Sequence, residues 1–210
     1  MKLHASNVTP YGRKVRIVLA EKGLDYERDL TGSSQRPIDA LASLNPALRV
    51  PILEDNGQML FESNLIIKYL LGNYAKHSAP DAPKPPLATG LARPQHYWAD
   101  RKLLAVLDAL LETTVNIRQL GLSGIAPEQS TYLQRHQERI GRILDWLEPL
   151  AEPDGLLPGW FSVQDLALVC SLDFGEHFGV FAWRGRPRLE ALKAQLDARP
   201  SVAGTRLPAM

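Results

Sequence analysis

Val50-Pro51-Ile52-Leu53-Glu54-Asp55-Asn56-Gly57-Gln58-Met59-Leu60-Phe61-Glu62-Ser63 carries the reading on which the fold turns. Asn56-Gly57 supplies two residues that accept positive φ, as a two-residue hairpin turn requires. Residues 51–54 and 58–61 on either side are therefore expected to pair as antiparallel strands. Ser63 then opens a helix whose apolar positions, Ile66, Ile67, Leu70 and Leu71, recur at helical spacing. A hairpin that runs directly into an amphipathic helix is part of a mixed α/β domain.

Working back toward the N-terminus, residues 2–5 read as a strand. Residues 10–22 read as a helix with Tyr11, Val15, Val18 and Leu19 on one face and Gly23 as its stop. Residues 25–30 alternate as a second strand, and a helix near 36–44 ends before Asn45-Pro46. The order β-α-β-α-β-β-α suits one four-stranded mixed sheet with helices on both faces. Working forward, Ser78-Ala79-Pro80-Asp81-Ala82-Pro83-Lys84-Pro85-Pro86 has four prolines in nine residues and reads as an extended connector. Beyond it every pattern is helical. Helices are expected over 91–118 and 128–150. Another is opened by the capping box Ser162-Val163-Gln164-Asp165 and carries Leu166, Cys170, Phe174 and Phe178; a last one is opened by Pro187. The expected architecture is an α/β domain over 1–76, a Pro-rich linker over 77–90 and an all-helical domain over 91–210.

The 210 residues include 24 basic and 23 acidic side chains, a net charge of +1. Neither domain carries the bias of a nucleic-acid or anionic-membrane binder. No apolar run approaches the ~18 residues of a membrane span. Residues 1–7 lack the apolar segment of a secretory signal, so a cytoplasmic location is expected. A single cysteine, Cys170, excludes an internal disulfide framework and any Cys-x-x-Cys site, and its apolar neighbours place it in the core. The five histidines show no metal-ligand spacing, and no metal is expected.

Three short segments can carry chemistry. Thr9-Pro10-Tyr11-Gly12 lies between the first strand and first helix, with Pro10 at the first helical position and Thr9 at the N-cap. Free amides and the positive end of the helix dipole favour an anion there, and the Thr9 hydroxyl either donates to that anion or merely caps the helix. Val50-Pro51 is either an ordinary trans loop or a cis bond that turns the Val50 amide and carbonyl toward an extended ligand. Ser63 is expected as an N-cap whose hydroxyl and neighbouring amides can hold a carboxylate, while Glu62 can take an ammonium group. The plain alternative is a capping serine beside a solvated glutamate.

The order and spacing of Thr9-Pro10-Tyr11, Asn45-Pro46 through Val50-Pro51-Ile52-Leu53, and Glu62-Ser63 resemble the glutathione transferase superfamily. Ser162-Val163-Gln164-Asp165, Arg186-Pro187-Arg188-Leu189 and Arg199-Pro200-Ser201-Val202 extend the resemblance over nearly the whole chain. It implies a thioredoxin-like N-terminal domain, a helical C-terminal domain and glutathione as co-substrate. It implies that Val50 pairs its backbone with the cysteinyl part beside a cis Pro51. Glu62 and Ser63 take the γ-glutamyl end, and Arg49 reaches toward the glycyl end. Thr9 lies by the sulfur, with Ser6 as a rival hydroxyl. The implied activity is conjugation of glutathione to a small hydrophobic electrophile, held near Tyr97, Trp98 and Arg101 unless those residues are core, by a homodimer. The alternatives are a glutathione- or protein-binding module without turnover and a glutathione-dependent disulfide reductase. Two departures stand out: Leu48 occupies a position where glycine is common, and Thr9 is β-branched and stiff at χ1.

Overall fold

The computed structural model describes residues 1–31, 36–88 and 93–209. Among them the chain forms two compact units, one of Met1–Gly90 with Pro200–Met210 and one of Leu91–Arg199.

The first unit is built from β1 (Lys2–His4), α1 (Pro10–Lys22), β2 (Glu27–Asp29), α2 (Ile38–Leu44), β3 (Ile52–Asp55), β4 (Gln58–Phe61) and α3 (Ser63–Asn73). This is the thioredoxin-like order expected. The sheet runs β2-β1-β3-β4, with β1 parallel to β2 and the other neighbours antiparallel. The hairpin turns on Asn56 and Gly57, at φ of 47° and 75°, the two left-handed positions that its length demands. Pro51 has no N–H to give a ladder, so β3 starts one residue later than expected, at Ile52. α1 stops at Gly23, whose φ of 60° lets its amide reach back to the Ala20 carbonyl. Leu3, Ile52 and Leu53 from the sheet, Val15, Val18 and Leu19 from α1, and Ile66, Ile67 and Leu70 from α3 are buried as the apolar core.

The unit boundaries depart from the sequence division at both ends of the helical part. The connector belongs with the sheet unit, where the Ala79 amide donates to the Glu21 carbonyl at 2.9 Å. The last residues also return to it. A short helix, α8 (Pro200–Ala203), packs on α1. Arg13 and Arg16, buried on α1, donate to the carbonyls of Val202 and Thr205, each at 3.3 Å. A cation against the closing carbonyls of a helix end is favourable, and nothing in local periodicity announces it.

The second unit contains α4 (Tyr97–Leu122), α5 (Thr131–Leu147), α6 (Val163–His177) and α7 (Pro187–Asp197). α4 packs against both α5 and α6. α5 is shorter than the expected 128–150 because Pro127 and Pro149 lie in single 3₁₀ turns at either end. The expected start of α4, residue 91, lies outside the described residues. Cys170 is buried in α6, as expected. At the start of α6, Ser162 caps the helix and Asp165 completes the box. The buried Asp165 carboxylate accepts from the amides of Leu156 and Ser162, each at 2.8 Å, and from the Ser162 hydroxyl at 2.7 Å. Burial pushes its pKa up to about 6, against those hydrogen bonds and the charge of Arg199, which pull it down. Among the described residues no helix is long and apolar enough to cross a membrane.

Candidate functional site

Strand register alone gathers the three candidate segments. His4 pairs with Ile52, and Ile52 with Phe61, so these residues form one row across the sheet. Past that row β1 runs into Ser6 and Thr9, β3 is preceded by Val50-Pro51, and β4 is followed by Glu62-Ser63. All three therefore leave the same end of the sheet. α1 and α3 pack together and both begin there, joined by Lys14 Nζ, which donates to Asn64 Oδ1 at 2.9 Å.

Thr9 is the N-cap of α1 and Pro10 its first residue, as expected, but the Thr9 hydroxyl makes no capping hydrogen bond. Its methyl lies against the helix instead. A Cβ added at Gly12 would come within 2.7 Å of Thr9 Cγ2 and 2.6 Å of Ala5 Cβ. Position 12 therefore has no room for a side chain, a cysteine included. Ser6 and Thr9 are both half-buried. Between them Asn7 is held twice: its carbonyl accepts from Arg16 Nη2 at 3.2 Å and its side-chain oxygen from Arg28.

The Val50-Pro51 bond is cis, as the resemblance implied. Val50 lies outside the ladder, and among the described residues no hydrogen bond reaches its amide or its carbonyl. The loop before it is stapled by buried Asn45. Its Oδ1 accepts from the Ala47 amide at 2.9 Å, and its Nδ2 donates to the Arg49 carbonyl at 2.8 Å. That Asx turn was signalled by Asn45-Pro46, although its reach to Arg49 was not. Leu48 takes φ of 56°, which explains why glycine suits this position. The Arg49 side chain is exposed.

Ser63 is not the N-cap. Glu62 is, at φ of 77°, with its carboxylate accepting from the Asn64 amide at 3.2 Å. Ser63 is the first helical residue, 1% exposed, and among the described residues its hydroxyl has no partner. A buried unpaired hydroxyl and a strained non-glycine backbone side by side are features that folding alone does not favour.

Near the same end, His4 Nδ1 lies 3.0 Å from Asp29 Oδ2, its Nε2 contacts Glu54, and Arg36 donates to Asp29 at 2.6 Å. Burial would raise the Asp29 pKa, but hydrogen bonds from Arg36, Thr31 and His4 outweigh it and hold the carboxyl well below the usual range. Among the described residues no group of three or more His, Cys, Asp or Glu could hold a metal.

In the helical unit Tyr97, Trp98 and Arg101 form a surface cluster and not a core one. The Tyr97 and Trp98 rings meet edge-on at 4.9 Å, Arg101 lies over Tyr97 at 5.6 Å, and Trp98 is 80% exposed.

Comparison with known proteins matches residues 3–80 to the family model described as glutathione S-transferase, N-terminal domain. The chain is 29% identical to glutathione S-transferase 3 of Zea mays over 98% of its own length and 92% of that protein. It is 30% identical to a stringent starvation protein A homolog of Histophilus somni, over 67% of its own length and 69% of the homolog. A crystal structure of a glutathione S-transferase from Methylobacillus flagellatus KT with GSH bound superposes at a TM-score of 0.80 and 25% identity, covering 99% of both chains.

Proposed function

Because the chain belongs to the glutathione S-transferase superfamily, we propose that it binds glutathione at the sheet end and transfers its thiolate to a small electrophile. The observation that carries this reading is the buried, unpartnered Ser63 hydroxyl beside Glu62 at the start of α3. In this reading Ser63 donates to the γ-glutamyl carboxylate, and Glu62 takes the ammonium. Val50 pairs its open amide and carbonyl with the cysteinyl residue, as one strand edge does with another. Arg49 reaches toward the glycyl carboxylate. This places the sulfur near the start of α1, beside Thr9, with Ser6 as the rival hydroxyl.

A free thiol has a pKa of about 8.5, and lowering it by two units needs about 2.7 kcal/mol. A hydrogen bond to the thiolate supplies roughly 1.5–3 kcal/mol and a helix N-terminus roughly 0.3–1 kcal/mol. Thr9 and α1 suffice together, with no metal or general base. The thiol proton leaves to solvent, the sulfur lone pair forms the new C–S bond, and the leaving group departs with its electron pair. A homodimer in the cytoplasm belongs to the same reading.

A glutathione-binding module without turnover is the second reading, favoured by the Thr9 methyl that lies against Gly12. A dithiol disulfide reductase is disfavoured, since positions 9 and 12 are Thr and Gly. Thiolate absorbance of glutathione titrated with protein at pH 7 separates the readings. A saturable signal, reduced in Thr9→Val or Ser6→Ala together with turnover of a chloronitrobenzene-type substrate, supports transfer. Calorimetric binding without a thiolate signal supports the module, and no binding overturns both.

A further inference from the structure

The turn from Ser6 to Thr9 joins β1 to α1 and carries both hydroxyls offered to the sulfur, so the groups that fix this turn bear on the chemistry. The Thr9 hydroxyl makes no capping bond that would set it. The turn is held instead at Asn7, by two arginines. Arg16 Nη2, from the second turn of α1, donates to the Asn7 carbonyl at 3.2 Å. Arg28, from β2, donates to the Asn7 side-chain oxygen. One element therefore grips the main chain of residue 7 and another grips its side chain.

Arg16 holds more than Asn7. The same Nη2 also donates to the Thr205 carbonyl at 3.3 Å, so one guanidinium nitrogen ties residue 7 to residue 205. That second carbonyl is itself fixed. The Thr205 hydroxyl donates to the Ser201 carbonyl at 2.9 Å, the Ser201 hydroxyl donates to Glu21 on α1, and Val202 is buried. The segment is thus an anchor on α1 and not a loose tail. Packing alone does not ask for a guanidinium here. The neighbouring buried positions Val15, Ile17, Val18 and Leu19 are apolar, and an apolar side chain is often as stabilising as a buried charge with its partners. What an apolar residue would not do at position 16 is join two main-chain carbonyls from opposite ends of the chain.

We propose that Arg16 is a positioning residue for the transfer: it fixes the Ser6 to Thr9 turn against the C-terminal segment, and with it the hydroxyl that stabilises the thiolate. Arg28 is the smaller second clamp on the same turn. The proposal rests on the transferase reading above. Groups that stabilise a reacting atom work only when held within about 0.5 Å of the productive place, and a misplacement of ~1 Å costs about a hundredfold. Thr9 is stiff at χ1, so its hydroxyl goes where the backbone carries it and the side chain does not correct a displaced turn. Val50, Glu62 and Ser63 stand on other segments, so the grip on the rest of glutathione does not depend on this clamp.

The test follows the thiolate absorbance of saturating glutathione on the full-length protein as a function of pH, with affinity measured by calorimetry well below the midpoint, where the thiol is neutral. Arg16→Met should move the midpoint up by about one unit, a tenfold loss of thiolate, while that affinity changes by less than about threefold. Arg28→Ala, at an exposed position that folding tolerates, should cost about twofold to threefold of thiolate in the same direction. In a background without either hydroxyl, Thr9→Val/Ser6→Ala, Arg16→Met should move the midpoint no further, because a residue that acts through the hydroxyl has nothing left to act on. An equal shift in both backgrounds overturns the proposal, since the guanidinium charge would then act on the sulfur directly. So does an unmoved midpoint in Arg16→Met, with or without a lowered melting temperature, or in Arg28→Ala where the buried variant fails to fold. A wild type that binds no glutathione, or binds it without ionising it, overturns the transferase reading itself. A wild type that ionises glutathione beside unmoved variants overturns this inference alone.

Discussion

Two helix starts in this chain, those of α3 and α6, each have a buried serine, and they are finished in opposite ways. At α6, Ser162 caps the helix, Asp165 returns the bond, and the Asp165 carboxylate also takes the Leu156 amide, so the Ser162 and Asp165 side chains both have partners. At α3, Ser63 sits one residue past the cap with its hydroxyl unpaired, and the cap itself, Glu62, holds a φ of 77°. The first arrangement makes a rigid corner of the helical unit. The second leaves hydrogen-bonding capacity unspent where the cis Val50-Pro51 segment and the start of α1 converge. A helix N-terminus is thus a stability device or a binding device according to whether its own side chains or a ligand complete it.

The comparison breaks most visibly at α6. Asp165→Ala strands two buried amides and removes the cap partner of Ser162, so urea unfolding should show a loss of about 3–5 kcal/mol. A ligand-completed corner would lose less than ~1 kcal/mol when cut in the same way.

The same carboxyl sharpens the contrast through pH. Its folded pKa, about 6, lies above the unfolded value of about 3.9, so its contribution is full below pH ~4 and is lost as pH rises through about 6. The wild-type stability advantage over Asp165→Asn should fall by about 2–3 kcal/mol between pH 4 and 7. A flat difference would mean that the carboxyl titrates alike in both states.

At α3 the outcome reverses. Ser63→Ala deletes a buried hydroxyl that nothing satisfies, so stability should stay level or rise by up to ~1 kcal/mol. Glutathione affinity should drop by about 1.5–3 kcal/mol, measured by calorimetry. Lost stability with unchanged affinity would make Ser63 a structural residue.

The smallest effect is expected in the loop before Val50. Leu48→Gly relieves a left-handed backbone at an exposed position and should change stability by less than ~1 kcal/mol, toward stabilisation. A loss above ~2 kcal/mol would show that the Leu48 side chain packs into the site and is more than tolerated there.

Much of both helix starts was legible in the chain itself. Ser162-Val163-Gln164-Asp165 encodes its box in four consecutive residues, because a capping box closes over a single turn. Asn56-Gly57 dictated its hairpin for the same reason. Glu62-Ser63 marked the right place but the wrong register. Whether the cap is residue 62 or 63 is set by how β4 delivers the chain into α3, and a serine preference cannot see that.

What the sequence alone determined is what neighbouring residues settle between themselves: the order β-α-β-α-β-β-α, the Asn-Gly turn, the Pro10 helix start and the box at Ser162. What only the tertiary structure decided is what distant segments settle together. The row His4–Ile52–Phe61 brings Thr9, Val50 and Ser63 to one sheet end, α8 returns to Arg13 and Arg16, and the buried Ser63 hydroxyl meets no partner among the described residues. Local rules act through dihedral preference and one turn of hydrogen bonding. Burial and the register of β1 on β3 depend on residues far apart in the chain, His4 and Ile52 among them, whose proximity no local pattern encodes.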